Sequence, residues 1–152
     1  MGENIAVQNK KISDNIREYG WHCLHVFPTK ETHDKFSYSI GFEESYGAPE
    51  VLIFCLDREK AHALLNACAE MLQDGHTIQN SVENPNVLNG GYKVVFRPVR
   101  STFFSEYLGT AQRYYQDRPF GAVVMFLPDR EHRFPWQTGY DDIPADESLS
   151  IV

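Results

Sequence analysis

The sequence predicts an α+β domain: a mostly antiparallel sheet of about five or six strands, able to curl into a partial barrel, with two or three packing helices. Three observations carry this. Short runs of alternating or continuous apolar residues recur along the chain, the mark of strands. The first of these runs are joined by short polar connections, which calls for hairpins and antiparallel pairing. Around them lie segments with apolar residues every three or four positions, the mark of helices packed on a sheet.

The elements follow in order. In NKKISDNIREYG, Ile12, Ile16 and Tyr19 form an apolar stripe on a helix that Gly20 ends. WHCLHVFP is a strand closed by Pro28, and TKETHDK is a polar loop. FSYSIGF, residues 36–42, alternates Phe36, Tyr38, Ile40 and Phe42 with Ser37, Ser39 and Gly41. Its period of two predicts a strand with one bulky face and one nearly bare face. Either a neighbouring backbone or a bound ligand fills the bare face. EESYGAP is a turn-rich connection, and EVLIFCL is an apolar run that predicts a strand covered on both faces.

The strongest helix is DREKAHALLNACAEMLQDG. Asp57 is its N-cap, Gly75 its stop, and Ala61, Leu64, Leu65, Cys68 and Leu72 its stripe. Asn89-Gly90 predicts a hairpin-type turn, and YKVVFRPV a strand whose Pro98 suits an edge. Ser101 is placed to cap a helix over TFFSEYLGTAQRYYQ, with Phe104, Leu108 and Ala111 on one side. FGAVVMFLP is the last strand. The remainder is irregular, with residues 142–152 expected to form a loose tail.

The 152 residues are read as a single domain, 1–152, able to bury roughly 70% of the unfolded surface. A composition of 42% hydrophobic and 13% aromatic residues supports a core and opposes disorder. A net charge of −7 with scattered Lys and Arg opposes nucleic-acid binding and fits a basic protein partner. No run is long enough to span a membrane, and no signal-peptide pattern opens the chain. With three cysteines, an odd number, the expected location is cytoplasmic and the thiols reduced.

Few residues point to chemistry. His22, Cys23 and His25 are metal-capable, but strand geometry puts only Cys23 and His25 on one face, too few for a structural metal site. The reading is therefore no metal, with Cys23 packed inside and a histidine hydrogen-bonded at the rim. Cys55 and Cys68 read as buried hydrophobes. Neither a nucleophile elbow nor a phosphate-cradling glycine motif is present. Glu50 opens a buried strand straight after Pro49, so its carboxylate is expected to be partly desolvated. In LPDREHRFPWQTGY, two prolines stiffen a loop holding Asp129, Arg130, His132, Arg133 and Trp136. That loop is either a recognition surface or a plug in which Phe134 and Trp136 close the core.

YGWHCLHVF, FSYSIGF, APEVLIFCL and MFLPDREHRFPWQTGY, in this order and at this spacing, resemble a bacterial domain-of-unknown-function family, the one numbered 4262. The resemblance covers about residues 15 to 140. Ser39 stands where Thr is usual, Phe42 where Leu is usual, and Phe126 where Trp or Tyr is expected. The resemblance implies no activity. It implies that a shared site would draw on Trp21, Tyr38, Ser39, Gly41, Glu50, Asp129 and Trp136.

Three functional expectations follow. The first is a non-catalytic binding domain for a protein partner, immunity-like, using the bare face of residues 36–42 and the PDREHRFPW loop, His132 included. The second is a small-molecule or flavin-binding enzyme of split-barrel type, with Ser37, Ser39 and Gly41 at a flavin phosphate and Lys35, Arg130 and Arg133 as its cations. The third is acid/base chemistry that brings Glu50, Asp129 and His132 together.

Overall fold

The computed structural model describes residues 2–27, 35–54, 56–116 and 118–141. Pro28, most of the TKETHDK segment, Cys55 and the tail at 142–152 lie outside the described residues. Helix α1 spans Gly2–Tyr19, followed by strands β1 (His22–Val26) and β2 (Phe36–Ile40). A short helix α2 (Phe42–Tyr46) leads into β3 (Glu50–Phe54), and α3 covers Arg58–Gln73. Strands β4 (Glu83–Asn84) and β5 (Val94–Pro98) come next. A 3₁₀ turn at Ser101–Phe103, α4 (Phe104–Tyr107) and α5 (Gly109–Tyr115) precede β6 (Ala122–Phe126).

The six strands form one open sheet in the order β1-β2-β3-β6-β5-β4. The α+β class holds, and four of the five neighbouring pairs are antiparallel. The sheet does not curl shut, and β3 and β6 run parallel, with Glu50 beside Ala122. Local connection lengths cannot reveal that pairing, because much of the chain separates its partners. β5 lies inside the sheet, not at its edge. Pro98 is tolerated there because β4 pairs only with Val94 and Val95.

Both faces of the sheet are covered. On one face Phe36, Tyr38, Ile40, Leu52, Val124 and Phe126 pack against Ile12 and Ile16 of α1 and Leu108, Ala111 and Tyr115 of the α4–α5 region. On the other, Val51, Ile53, Phe96, Val123 and Met125 pack against Ala61, Leu65, Cys68 and Met71 of α3. The α3 stripe matches the sequence pattern. Asp57 caps the helix by accepting from the Lys60 N–H at 2.9 Å.

Four local expectations change. Tyr19 is exposed rather than part of the α1 stripe. The strand predicted over 36–42 stops at Ile40, because Gly41 has φ +120° and turns the chain into α2. Phe42 therefore leaves the face of Phe36, Tyr38 and Ile40 and is buried beside Trp21 on the opposite side. The helix predicted after Ser101 is broken at Leu108, and Ser101 makes no side-chain cap. The predicted stripe survives the break, with Leu108 and Ala111 fully buried. The Asn89-Gly90 turn is part of the longer loop 85–93, where Gly90 and Gly91 both adopt positive φ.

Candidate functional site

The bare face of β2 is filled by the protein itself. An added Cβ at Gly41 would sit 2.9 Å from the Gly20 carbonyl oxygen and 3.0 Å from both Ile16 Cγ1 and Trp21 Cα. The space next to Ser39 belongs to Glu50, which is fully buried. Its Oε1 accepts from Ser39 Oγ at 2.8 Å and from the Phe42 N–H at 3.1 Å. Its Oε2 accepts from the Gly41 and Glu43 N–H groups at 3.1 Å each, and from the Tyr115 hydroxyl at 2.5 Å. The Val51 N–H donates back to Ser39 Oγ at 3.0 Å.

This carboxylate does the work of a helix cap. The first N–H groups of α2 have no partner within the helix, and Glu50 reaches across from the next strand to accept from them. Burial pushes its carboxyl up to about 7 against the opposing pull of these donors, Tyr115 first. No substrate atom can reach it. Ser39 and Gly41 are likewise enclosed by own-chain groups, whereas Ser37 borders a small surface pocket with Lys35 and Arg58.

Tyr38 is also internal, its hydroxyl accepting from the Ala111 N–H at 3.3 Å. Asp129 is buried at the start of the last loop and organises it. It accepts from the Glu131, Arg133 and Asp141 N–H groups and from Arg133 Nε. Burial would raise its carboxyl, but these bonds, led by the Arg133 backbone, outweigh that and hold it at about 2. Of the two readings of this loop, the plug describes its aromatic residues. Phe134 is buried, and Trp136 stacks on it with ring centroids 5.3 Å apart. The Arg97 guanidinium covers Trp136 at 3.4 Å from the ring centroid. His132 is exposed and stacks on Tyr92.

The acid/base trio does not assemble. Glu50 stands beside Ala122 at the start of β6, whereas Asp129 and His132 follow the end of that strand. A five-residue strand alone spans about 13 Å, beyond the reach of a shared proton.

A large cavity lies elsewhere, between α1, the edge strand β1 and α3. It measures about 590 Å³ and is lined by Trp21, His22, Cys23, His25, Arg58 and His62, with Lys11, Asn15, Tyr19, Asn66, Glu70 and Gln73 around them. Trp21 is the one predicted site residue that reaches it, its indole stacked on His62 with centroids 5.6 Å apart. His22 and His25 both line the cleft, although strand alternation assigns them to opposite faces. His22 opens the edge strand beside α1, where its Nδ1 lies 2.9 Å from the Asn15 amide nitrogen.

On β1 itself, Cys23 Sγ lies 3.5 Å from His25 Nε2, and His25 Nδ1 lies 2.7 Å from Ser37 Oγ. Burial, Lys11 and His25 lower the His22 imidazole to about 4. His25 is lowered by burial, Arg58 and His62. Neither Arg58 nor Lys11 has an ion-pair partner among the described residues. Among the described residues, no three His, Cys, Asp or Glu side chains are grouped to hold a metal ion. No described helix is long and apolar enough to cross a membrane.

The fold defines an open-sheet α+β domain with a sealed carboxylate cap and a separate polar cleft at one sheet edge. The chain belongs to the family described as Domain of unknown function (DUF4262), which it matches over residues 15–141. No curated protein and no solved structure matches it.

Trp21, His22, Cys23 and His25 were singled out in the sequence, but the helical residues facing them were missed because their types are commonplace one at a time. Lys11, Arg58 and His62 sit at helical positions that sequence reading assigns to a solvated face. The available signal was compositional: three of the chain's six histidines lie in β1 or on the exposed side of α3.

Proposed function

We propose that this protein is a binding domain for a small anionic molecule, held in the cleft between α1, β1 and α3. The observation that carries the proposal is the pairing of an open cavity of about 590 Å³ with two cations, Lys11 and Arg58, that have no acidic partner among the described residues. That volume suits a small molecule rather than a protein segment. Trp21 and Tyr19 offer aromatic surface, and Asn15, His62 and Asn66 offer directional hydrogen bonds. In a chain of net charge −7, a lining with Lys11 and Arg58 against the one carboxylate of Glu70 favours an anion locally. Cys23 and Cys68 are unpaired, which fits a reducing, cytoplasmic setting.

Calorimetric titration with citrate, inorganic phosphate and adenosine monophosphate tests the reading. At least one should bind, more weakly as salt rises, and Arg58→Ala should weaken it at least tenfold. Absence of heat with all three, or binding indifferent to Arg58→Ala, overturns the proposal.

A further inference from the structure

We infer that Cys23 is a nucleophile for acyl transfer, with His25 as its general base and Ser37 as the residue that positions His25; this rests on the cleft being the ligand site. The three side chains lie in line across two paired strands. Cys23 and His25 are two apart on β1 and share a face. Ser37 is the cross-strand partner of His25 in the β1–β2 register. The thiol-to-imidazole distance is 3.5 Å, and the imidazole-to-hydroxyl distance is 2.7 Å. Ser37 is buried, so its hydroxyl is fixed in place. When His25 Nδ1–H donates to Ser37 Oγ, Nε2 presents its lone pair to the thiol. That is the arrangement of nucleophile, base and orienting group that covalent catalysis requires. Both Cys23 and His25 line the cleft.

The protonation state of His25 suits a base, whereas the Cys23 thiol is held in its protonated form. Burial, with Arg58 and His62, favours the neutral His25 that a base must be. Burial also pushes the Cys23 thiol up to about 12 against the opposing field of Arg58, so it is protonated at rest. The reaction therefore needs the proton to move to His25 as sulfur attacks. Sulfur bonds to the carbonyl carbon of an ester or thioester while its proton passes to His25 Nε2. The carbonyl electron pair moves onto oxygen, where Arg58, whose charge acts on Cys23 across the same cleft, supplies the positive charge. Collapse breaks the bond to the leaving group, which takes the proton from His25. Water, deprotonated by His25, then attacks the acyl carbon; the acyl-sulfur bond breaks, the acid leaves, and the sulfur takes the proton back from His25 as the thiol. The substrate class is an acyl ester or thioester that carries a negative charge for Lys11 and Arg58.

The test uses p-nitrophenyl acetate with the whole chain. A burst approaching one equivalent of nitrophenolate is expected, with the acetyl group mapped to Cys23 by peptide mass analysis. Acetylation should exceed that of N-acetylcysteine under the same conditions. His25→Gln, folded by circular dichroism, should slow it by about 100-fold or more. Ser37→Ala should slow it less, and Ser37→Thr should restore it. Acetylation of Cys23 no faster than N-acetylcysteine, or equally fast in His25→Gln, overturns the inference. The anion titrations on the same wild-type protein separate the two proposals. Binding without acetylation removes only the nucleophile, and acetylation without anion binding removes only the anionic ligand.

Discussion

The Glu50 network and the β1 cleft are built from neighbouring segments, yet they treat charge in opposite ways. Glu50 is sealed, and five donors from Ser39, Gly41, Phe42, Glu43 and Tyr115 converge on its two oxygens. Arg58 and Lys11 line an open cavity and have no acidic partner among the described residues. A buried charge is tolerated only when its hydrogen-bonding capacity is met internally, so the Glu50 cluster has nothing left to offer a ligand. An unpaired cation costs little at an open cleft and remains available. Glu50 and Gly41, distinctive in the sequence, serve folding, whereas Lys11 and Arg58, commonplace in it, line an open cavity.

Substitutions should separate the two regions. Gly41→Val is expected to have the largest effect, abolishing folding at a cost above about 4 kcal/mol, because it combines backbone clashes with a φ that side chains rarely adopt. Soluble yield and far-ultraviolet circular dichroism report the outcome, and a folded variant would mean the Gly20–Trp21 backbone can yield. Glu50→Ala should cost about 3–5 kcal/mol in guanidinium unfolding, because three backbone N–H groups and two hydroxyls lose their acceptor. Tyr115→Phe, removing one donor to a charged group, should cost about 1.5–3 kcal/mol in the same assay.

The cleft should show itself through pH rather than through large losses. His22 is lowered from 6.5 to about 4, chiefly by burial, so the folded state binds fewer protons than the unfolded state between these values. Its contribution to stability is full above pH 6.5 and is lost as pH falls through 4. The geometry gives the same sign. His22 Nδ1 accepts from the Asn15 amide, and a protonated ring would turn a second donor toward it. His22→Gln should flatten the stability profile between pH 6.5 and 4, measured by urea unfolding at stepped pH. A profile unchanged by the substitution would show that other groups carry the acid sensitivity. Arg58→Ala should be the smallest in stability, within about 0.5 kcal/mol, while weakening anion binding.

Five of the six strands, the α3 stripe with its Asp57 cap, and the desolvation of Glu50 were legible because they depend on local pattern and short-range chemistry, whereas the two-residue β4 is too short to carry a pattern. The Pro49-Glu50 step announced a carboxylate entering a buried strand, but its partners come from α2 and from Tyr115 far along the chain. Gly41 was legible as a demand for space. The identity of its neighbour was not, since Gly20 and Trp21 meet it only through folding. The cleft was only half legible for the same reason: His22, Cys23 and His25 drew attention in β1, but the residues that α1 and α3 bring to it are unremarkable within their own elements.

By itself the sequence determined the α+β class, the five longer strands and the α3 stripe with its cap, because hydrophobic period and caps act over a few residues. Only the tertiary structure decided that β3 and β6 pair in parallel, that Glu50 caps α2, and that Cys23, His25 and Ser37 stand in line beside Arg58. Those outcomes depend on which distant segments are brought within about 3 Å of each other, the range over which hydrogen bonds act.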